Sequence, residues 1–65
     1  MFKLLKTILE GNSYNFLLKG HDSILKNCKI IENNRDLKYL TIEHLDNVLD
    51  IDYINIIDFN FIKTI

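Results

Sequence analysis

The side chains in this sequence best equipped to act on something else are carboxylates, and they crowd into its second half. Residues 1–31 carry five lysines against Glu10 and Asp22, a balance of +3, whereas residues 32–65 carry three cations against seven anions, a balance of −4. Glu43, Asp46, Asp50, Asp52 and Asp58 make up most of that excess. Asp50 and Asp52 alternate with apolar residues, so on a strand they share one face about 7 Å apart, a separation that also suits a general acid and base pair. Catalysis further requires a concave pocket and groups of perturbed acidity. A chain of 65 residues makes one small domain whose interior its own side chains fill, so no enzyme is expected. The carboxylates read better as a surface that draws in a basic protein. Their plainest reading is a solvated strand face that keeps the chain soluble and its edges unpaired.

The remaining reactive groups are sparse. His44 with Asp46, and Asp50 beyond them, offer too few ligands for a metal site, and His21 sits in a turn, so neither metal nor cofactor is expected. Cys28 is the only cysteine, which excludes an internal disulfide and a C-x-x-C site. Inside a strand it reads as a small core hydrophobe, and the absence of staples points to a reducing, cytoplasmic setting. A different chemistry would use Tyr14, Tyr39 and Tyr53 to stack on RNA bases, with Lys26, Lys29, Lys38 and Arg35 meeting phosphates. The net charge of −1 argues against it, because non-specific nucleic-acid binding rests on an excess of Lys and Arg.

The elements that must position these groups follow from hydrophobic spacing. Phe2, Leu5, Ile8 and Leu9 recur at the helical period until Gly11-Asn12 stops them, which predicts a helix over about residues 2–10 with Leu5 and Ile8 or Leu9 docked inward. Period two follows. Tyr14, Phe16 and Leu18 form a strand that ends at Gly20-His21-Asp22, and residues 24–32 form a second strand. Asn33-Asn34-Arg35-Asp36 reads as the hairpin turn into a third strand over residues 37–43. Leu45-Asp46-Asn47 turns into a fourth over 48–52, and a tight turn at residues 52–55 leads to a fifth over 56–61. The start of the chain has apolar runs of only two residues and no small-residue cleavage site, so neither a signal peptide nor a membrane span is expected.

One helix and five short strands favour a mainly β, five-stranded antiparallel barrel over about residues 13–61, followed by a short C-terminal tail. Closing it would bury Phe16, Leu18, Cys28, Ile30, Leu40, Ile42, Leu49, Ile51, Ile54 and Ile57 together. Leu17, Leu25, Ile31, Ile56, Phe59, Phe61, Ile62 and Ile65 exceed what so small a core absorbs. Surplus of this kind marks an interface, and self-association into a homo-oligomer is expected.

The run from Phe16 to Cys28, with its Lys19-Gly20-His21-Asp22 turn, resembles the first hairpin of the Sm-like barrels. Residues 36–43 and 47–57 continue the likeness, and the ending Leu49-Asp50-Ile51-Asp52 before a one-turn break is similar to the YolD-like proteins and the Rho-binding antiterminator Rof. The resemblance covers residues 1 to about 59. It implies an Sm-like barrel that either binds RNA as a ring or occupies the basic site of a nucleic-acid-handling protein. Sm-like rings bind RNA through the loop after the second strand and the loop before the last, which here read Glu32-Asn33-Asn34-Arg35-Asp36 and Ile51-Asp52-Tyr53-Ile54. Asp52 stands where a cation is wanted. The expected function is therefore a non-catalytic inhibitor or regulator, phage-borne or carried by a mobile element, with an RNA-binding ring and a structural self-assembling subunit as alternatives.

Overall fold

The computed structural model describes residues 2–62. A short helix, α1 (Phe2–Leu5), precedes five strands: β1 (Ser13–Leu18), β2 (Leu25–Asn34), β3 (Tyr39–His44), β4 (Asn47–Asp52) and β5 (Ile56–Phe61), with one 3₁₀ turn at Tyr53–Asn55 between the last two. The strands form one antiparallel sheet in the order β4-β3-β2-β1-β5. The mainly β expectation holds, but the sheet is not closed: β4 and β5 are its two edges.

The ten-residue β2 is the spine of the sheet. Its first half pairs with β1, through Phe16↔Leu25 and Tyr14↔Cys28, and its second half with β3, from Lys29↔Glu43 to Asn34↔Tyr39. Two irregularities bend it. Near Asn27, whose φ is +57°, the register with β1 shifts, and the Asn27 N–H donates to Asn15 Oδ1 at 3.2 Å. At Ile31 two residues of β2 oppose one of β3. A bulge increases local twist and reverses side-chain parity beyond it, so β2 turns Cys28, Ile30 and then Asn33 inward. A third shift, between Leu17 and Leu18, sets Ile57 aside and buries Ile56.

These bulges correct the expected core. Leu5, Ile8, Tyr14, Phe16, Leu18, Cys28, Ile30, Leu40, Ile42, Ile51, Tyr53 and Ile56 are buried. Ile57 and Ile54 are exposed, the first at a bulge and the second on the outer side of the 3₁₀ turn, whose inward residue is Tyr53. Leu49 faces Ile42 yet stays partly open because β4 is an edge strand. Of the apolar surplus, Leu25 and Phe59 pack against the core while Ile31 and Phe61 are exposed. Ile65 and the end of the expected tail lie outside the described residues.

The helix is shorter than the expected 2–10, though its inward residues are Leu5 and Ile8 as read from the spacing. After Leu5 the chain tightens, with Thr7 N–H donating to Leu4 O at 3.0 Å and Ile8 N–H to Leu5 O at 3.2 Å. Carbonyls that a longer helix would use are taken by β2 and the turn after it. Asn33 Nδ2 donates to Leu5 O at 3.0 Å and Ile8 O at 2.9 Å, and Arg35 Nε to Lys6 O at 2.7 Å. Gly11, at φ +87°, then lets the chain lie beside β2, where its N–H meets Ile30 O at 2.8 Å.

Candidate functional surface

The turn expected at residues 33–36 lies two residues later, over 35–38, because Asn33 and Asn34 belong to β2. Asn33 is buried and acts as a joint. Its amide donates to the Leu5 and Ile8 carbonyls, its Oδ1 accepts the Tyr53 hydroxyl, and its backbone N–H reaches Glu10 Oε2 at 3.1 Å. Burial raises the Tyr53 hydroxyl above its ordinary pKa, while Arg35 and the Asn33 bond pull the other way. The Tyr53 N–H donates to Lys38 O at 2.9 Å. The two loops around residues 32–36 and 51–54 are thereby brought together.

Pairing of β3 with β4 fixes the acidic residues. Leu40↔Ile51 and Ile42↔Leu49 point to the core, so Tyr39↔Asp52, Thr41↔Asp50 and Glu43↔Val48 form the outer face. Across β2, Glu32 opposes Thr41 and Lys29 opposes Glu43. Glu32, Glu43, Asp50 and Asp52 thus share one face spanning three strands, about 10 Å wide. Thr41 Oγ1 donates to Asp50 Oδ1 at 2.7 Å, and Tyr39 OH to Glu32 Oε1 at 3.5 Å. Glu32 was missed from the sequence because strict alternation from Ile30 does not anticipate the bulge at Ile31.

Asp46 lies beyond this face, at the tip of the β3–β4 hairpin. Asp58 does not belong to it. Grouping Asp58 with the others assumed that β3, β4 and β5 are neighbours, whereas β5 pairs with β1, placing Asp58 opposite Leu17 at the other edge. There its Oδ1 accepts the Phe59 N–H at 2.8 Å.

The proposed stacking set is largely consumed by the fold. Tyr53 is 1% exposed, and Tyr14 is buried, with its ring 5.3 Å from that of Phe61 and its hydroxyl accepting the Leu9 N–H. Neither presents a face to a base. Tyr39 is half-buried between Glu32 and Asp52, which repel phosphate. Arg35 binds the Lys6 and Ile8 carbonyls. Lys26, Lys29 and Lys38 are exposed.

Among the described residues, no three His, Cys, Asp or Glu side chains gather as metal ligands, and no helix is long and apolar enough to cross a membrane. Cys28 is buried; its thiol points to Leu25 O at 3.5 Å, and burial pushes its pKa up to about 11. At neutral pH it is a protonated core side chain, not a nucleophile. Compared with family models, curated proteins and solved structures, the chain matches none.

Proposed function

We propose that this chain is a small, non-catalytic, cytoplasmic binding module that engages a basic protein surface through the outer face of β2, β3 and β4. The supporting observation is the convergence of Glu32, Glu43, Asp50 and Asp52 on that face, with Lys29 as the cation on its margin. None of the four is paired directly across strands with another carboxylate, and Glu43 opposes Lys29, so the cluster costs the fold little and leaves Glu32, Asp50 and Asp52 without a cross-strand cation. At physiological salt the screening length is about 8 Å, so the face steers a partner over short range and its binding weakens with salt. A partner that handles nucleic acid has such a basic surface, and occupying it would make this chain an inhibitor or regulator, in line with the resemblance to Rof. Affinity capture tests the reading. The wild-type chain is expected to retain a basic protein that the folded Asp50→Lys/Asp52→Lys variant releases, and equal retention by both would refute it.

A second reading is self-association. Both β4 and β5 are edge strands, and Val48, Ile57 and Phe61 are exposed along them. Unpaired edges with apolar side chains invite pairing with another copy. Sedimentation giving a dimer or larger assembly at micromolar concentration would support it, and a monomer at high concentration would remove it.

A further inference from the structure

The acidic face runs into an apolar concavity at one end of the sheet. Phe2, Leu37, Lys38, Asp52, Tyr53 and Ile54 line a cavity of about 290 Å³. Three separate segments build it: α1, the turn after β2 and the 3₁₀ turn. Its floor is fixed. The Phe2 and Tyr53 rings meet edge to face at 5.6 Å, the Tyr53 hydroxyl bonds Asn33, and its N–H bonds Lys38 O. Leu37 N–H is held by Asn34 Oδ1 at 2.9 Å. On this rigid base the walls are apolar and open, with Leu37 72%, Ile54 65% and Phe2 41% exposed. A hollow of that volume has room for one large side chain.

Charge selects what accompanies that side chain. Asp52 lies in the lining and pairs with Tyr39 on the acidic outer face, two positions along β4 from Asp50, while Lys38 ends the turn before β3. The rim is therefore polarised, and a bound segment is favoured with its cations over Asp52 and Asp50 and away from Lys38. The most exposed apolar side chain among the described residues, Leu45, is followed by Asp46 and lies two residues after Glu43, so a second copy offering that hairpin would bring anions to anions. Resting on the reading of the acidic face, we infer that the cavity is an anchor site for one aromatic or large aliphatic side chain of a basic partner segment, with Lys or Arg next to the anchor on the Asp52 side.

The test is titration of the full ¹⁵N-labelled chain with three nonapeptides at millimolar concentrations: Lys-rich with a central Phe, the same with Ser for Phe, and Glu-rich with a central Phe. The Lys-rich Phe peptide is expected to bind about tenfold more tightly than its Ser counterpart, the scale of one buried aromatic side chain. It should shift the amides of Leu37, Lys38, Tyr53 and Ile54. In the Leu37→Ser/Ile54→Ser variant, which alters two exposed positions, the two Lys-rich peptides should bind alike at the weaker level. Equal binding of both Lys-rich peptides to the wild type overturns the anchor while leaving the acidic face standing. No binding of either defeats the acidic face as well. Equal binding of the Glu-rich Phe peptide overturns the charge selection. Concentration-dependent line broadening without peptide, lost in the variant, would assign the cavity to a second copy and also overturn the proposal.

Discussion

The joint around Asn33 and the hairpin of β3 and β4 are joined by only a few residues yet are built in opposite ways. At the joint, one buried side chain ties α1, β2 and the 3₁₀ turn together, and no buried side-chain nitrogen or oxygen among the described residues lacks a partner. At the hairpin, Leu45 and Asp46 both hold positive φ, +49° and +66°, with Leu45 80% exposed. A two-residue turn of this kind normally takes Asn-Gly, since both central residues must be left-handed. Strain is thus tolerated at the exposed turn, while the inner faces of the same strands, with Leu40, Ile42 and Ile51, belong to the core. Substitutions at the joint are therefore expected to damage the fold, and substitutions at the hairpin tip and outer face to leave it standing.

The largest expected effect is at the joint. Asn33→Leu strands the Tyr53 hydroxyl in the interior and takes one donor each from Leu5 O and Ile8 O, which keep the Ile8 N–H and the Arg35 guanidinium. A buried unsatisfied group costs about 1–3 kcal/mol and a lost hydrogen bond about 1 kcal/mol, so a loss of about 4 kcal/mol is expected from urea unfolding. Domains of this size have roughly 3–10 kcal/mol in all. Tyr53→Phe, which leaves only Asn33 Oδ1 without its donor, should lose about 1–2 kcal/mol. If both variants unfold at the wild-type midpoint, the joint is not the organising centre.

Alkaline pH probes the same interior. The Cys28 thiol ionises from its ordinary value of 9.0 when unfolded but only near about 11 when folded. Its contribution is fully present below pH 9 and is lost as pH rises toward 11, because the unfolded chain then releases a proton the folded one keeps. The loss is roughly 2 kcal/mol at pH 11. Tyr53, also raised, acts in the same sense. Urea midpoints at pH 8 and pH 11 should therefore fall less in Cys28→Ala than in the wild type, and parallel falls would contradict the assignment.

Smaller effects belong to the hairpin and its face. Leu45→Asn with Asp46→Gly relieves two left-handed residues and should stabilise by about 1 kcal/mol. In calorimetry this raises Tm by roughly 4–8 °C. A lower Tm would mean that Leu45 is packed rather than strained. Asp50→Asn with Asp52→Asn should alter stability by less than about 0.5 kcal/mol, as exposed carboxylates do.

Alternation and turn chemistry made much of this fold readable in advance: five strands appear in order, β5 has the expected bounds, and Leu5 and Ile8 are the inward residues of the N-terminal segment. Bulges account for several of the misreadings. Each inserts a residue that reverses parity, which is why Ile57 is outside, Asn33 inside the sheet rather than in a turn, and Glu32 on the outer face across Thr41 from Asp50. The grouping of Glu43, Asp50 and Asp52 depended only on a local hairpin and was readable. The exclusion of Asp58 depended on which strands become neighbours, a long-range outcome that spacing does not contain. The shortened helix and the cavity share that origin, since Asn33, Arg35 and Tyr53 reach them from distant positions.

We propose the outer face of β2, β3 and β4 as the working surface, one that takes cations. Fluorescence anisotropy of a labelled Lys-rich peptide and a labelled single-stranded RNA, each titrated with the wild type and with folded Asp50→Lys/Asp52→Lys, tests it most directly. Salt-sensitive peptide binding by the wild type, at least tenfold weakened in the variant, and no RNA binding by the wild type are expected. Unchanged peptide binding in the folded variant, or wild-type RNA binding that strengthens on substitution, would contradict it.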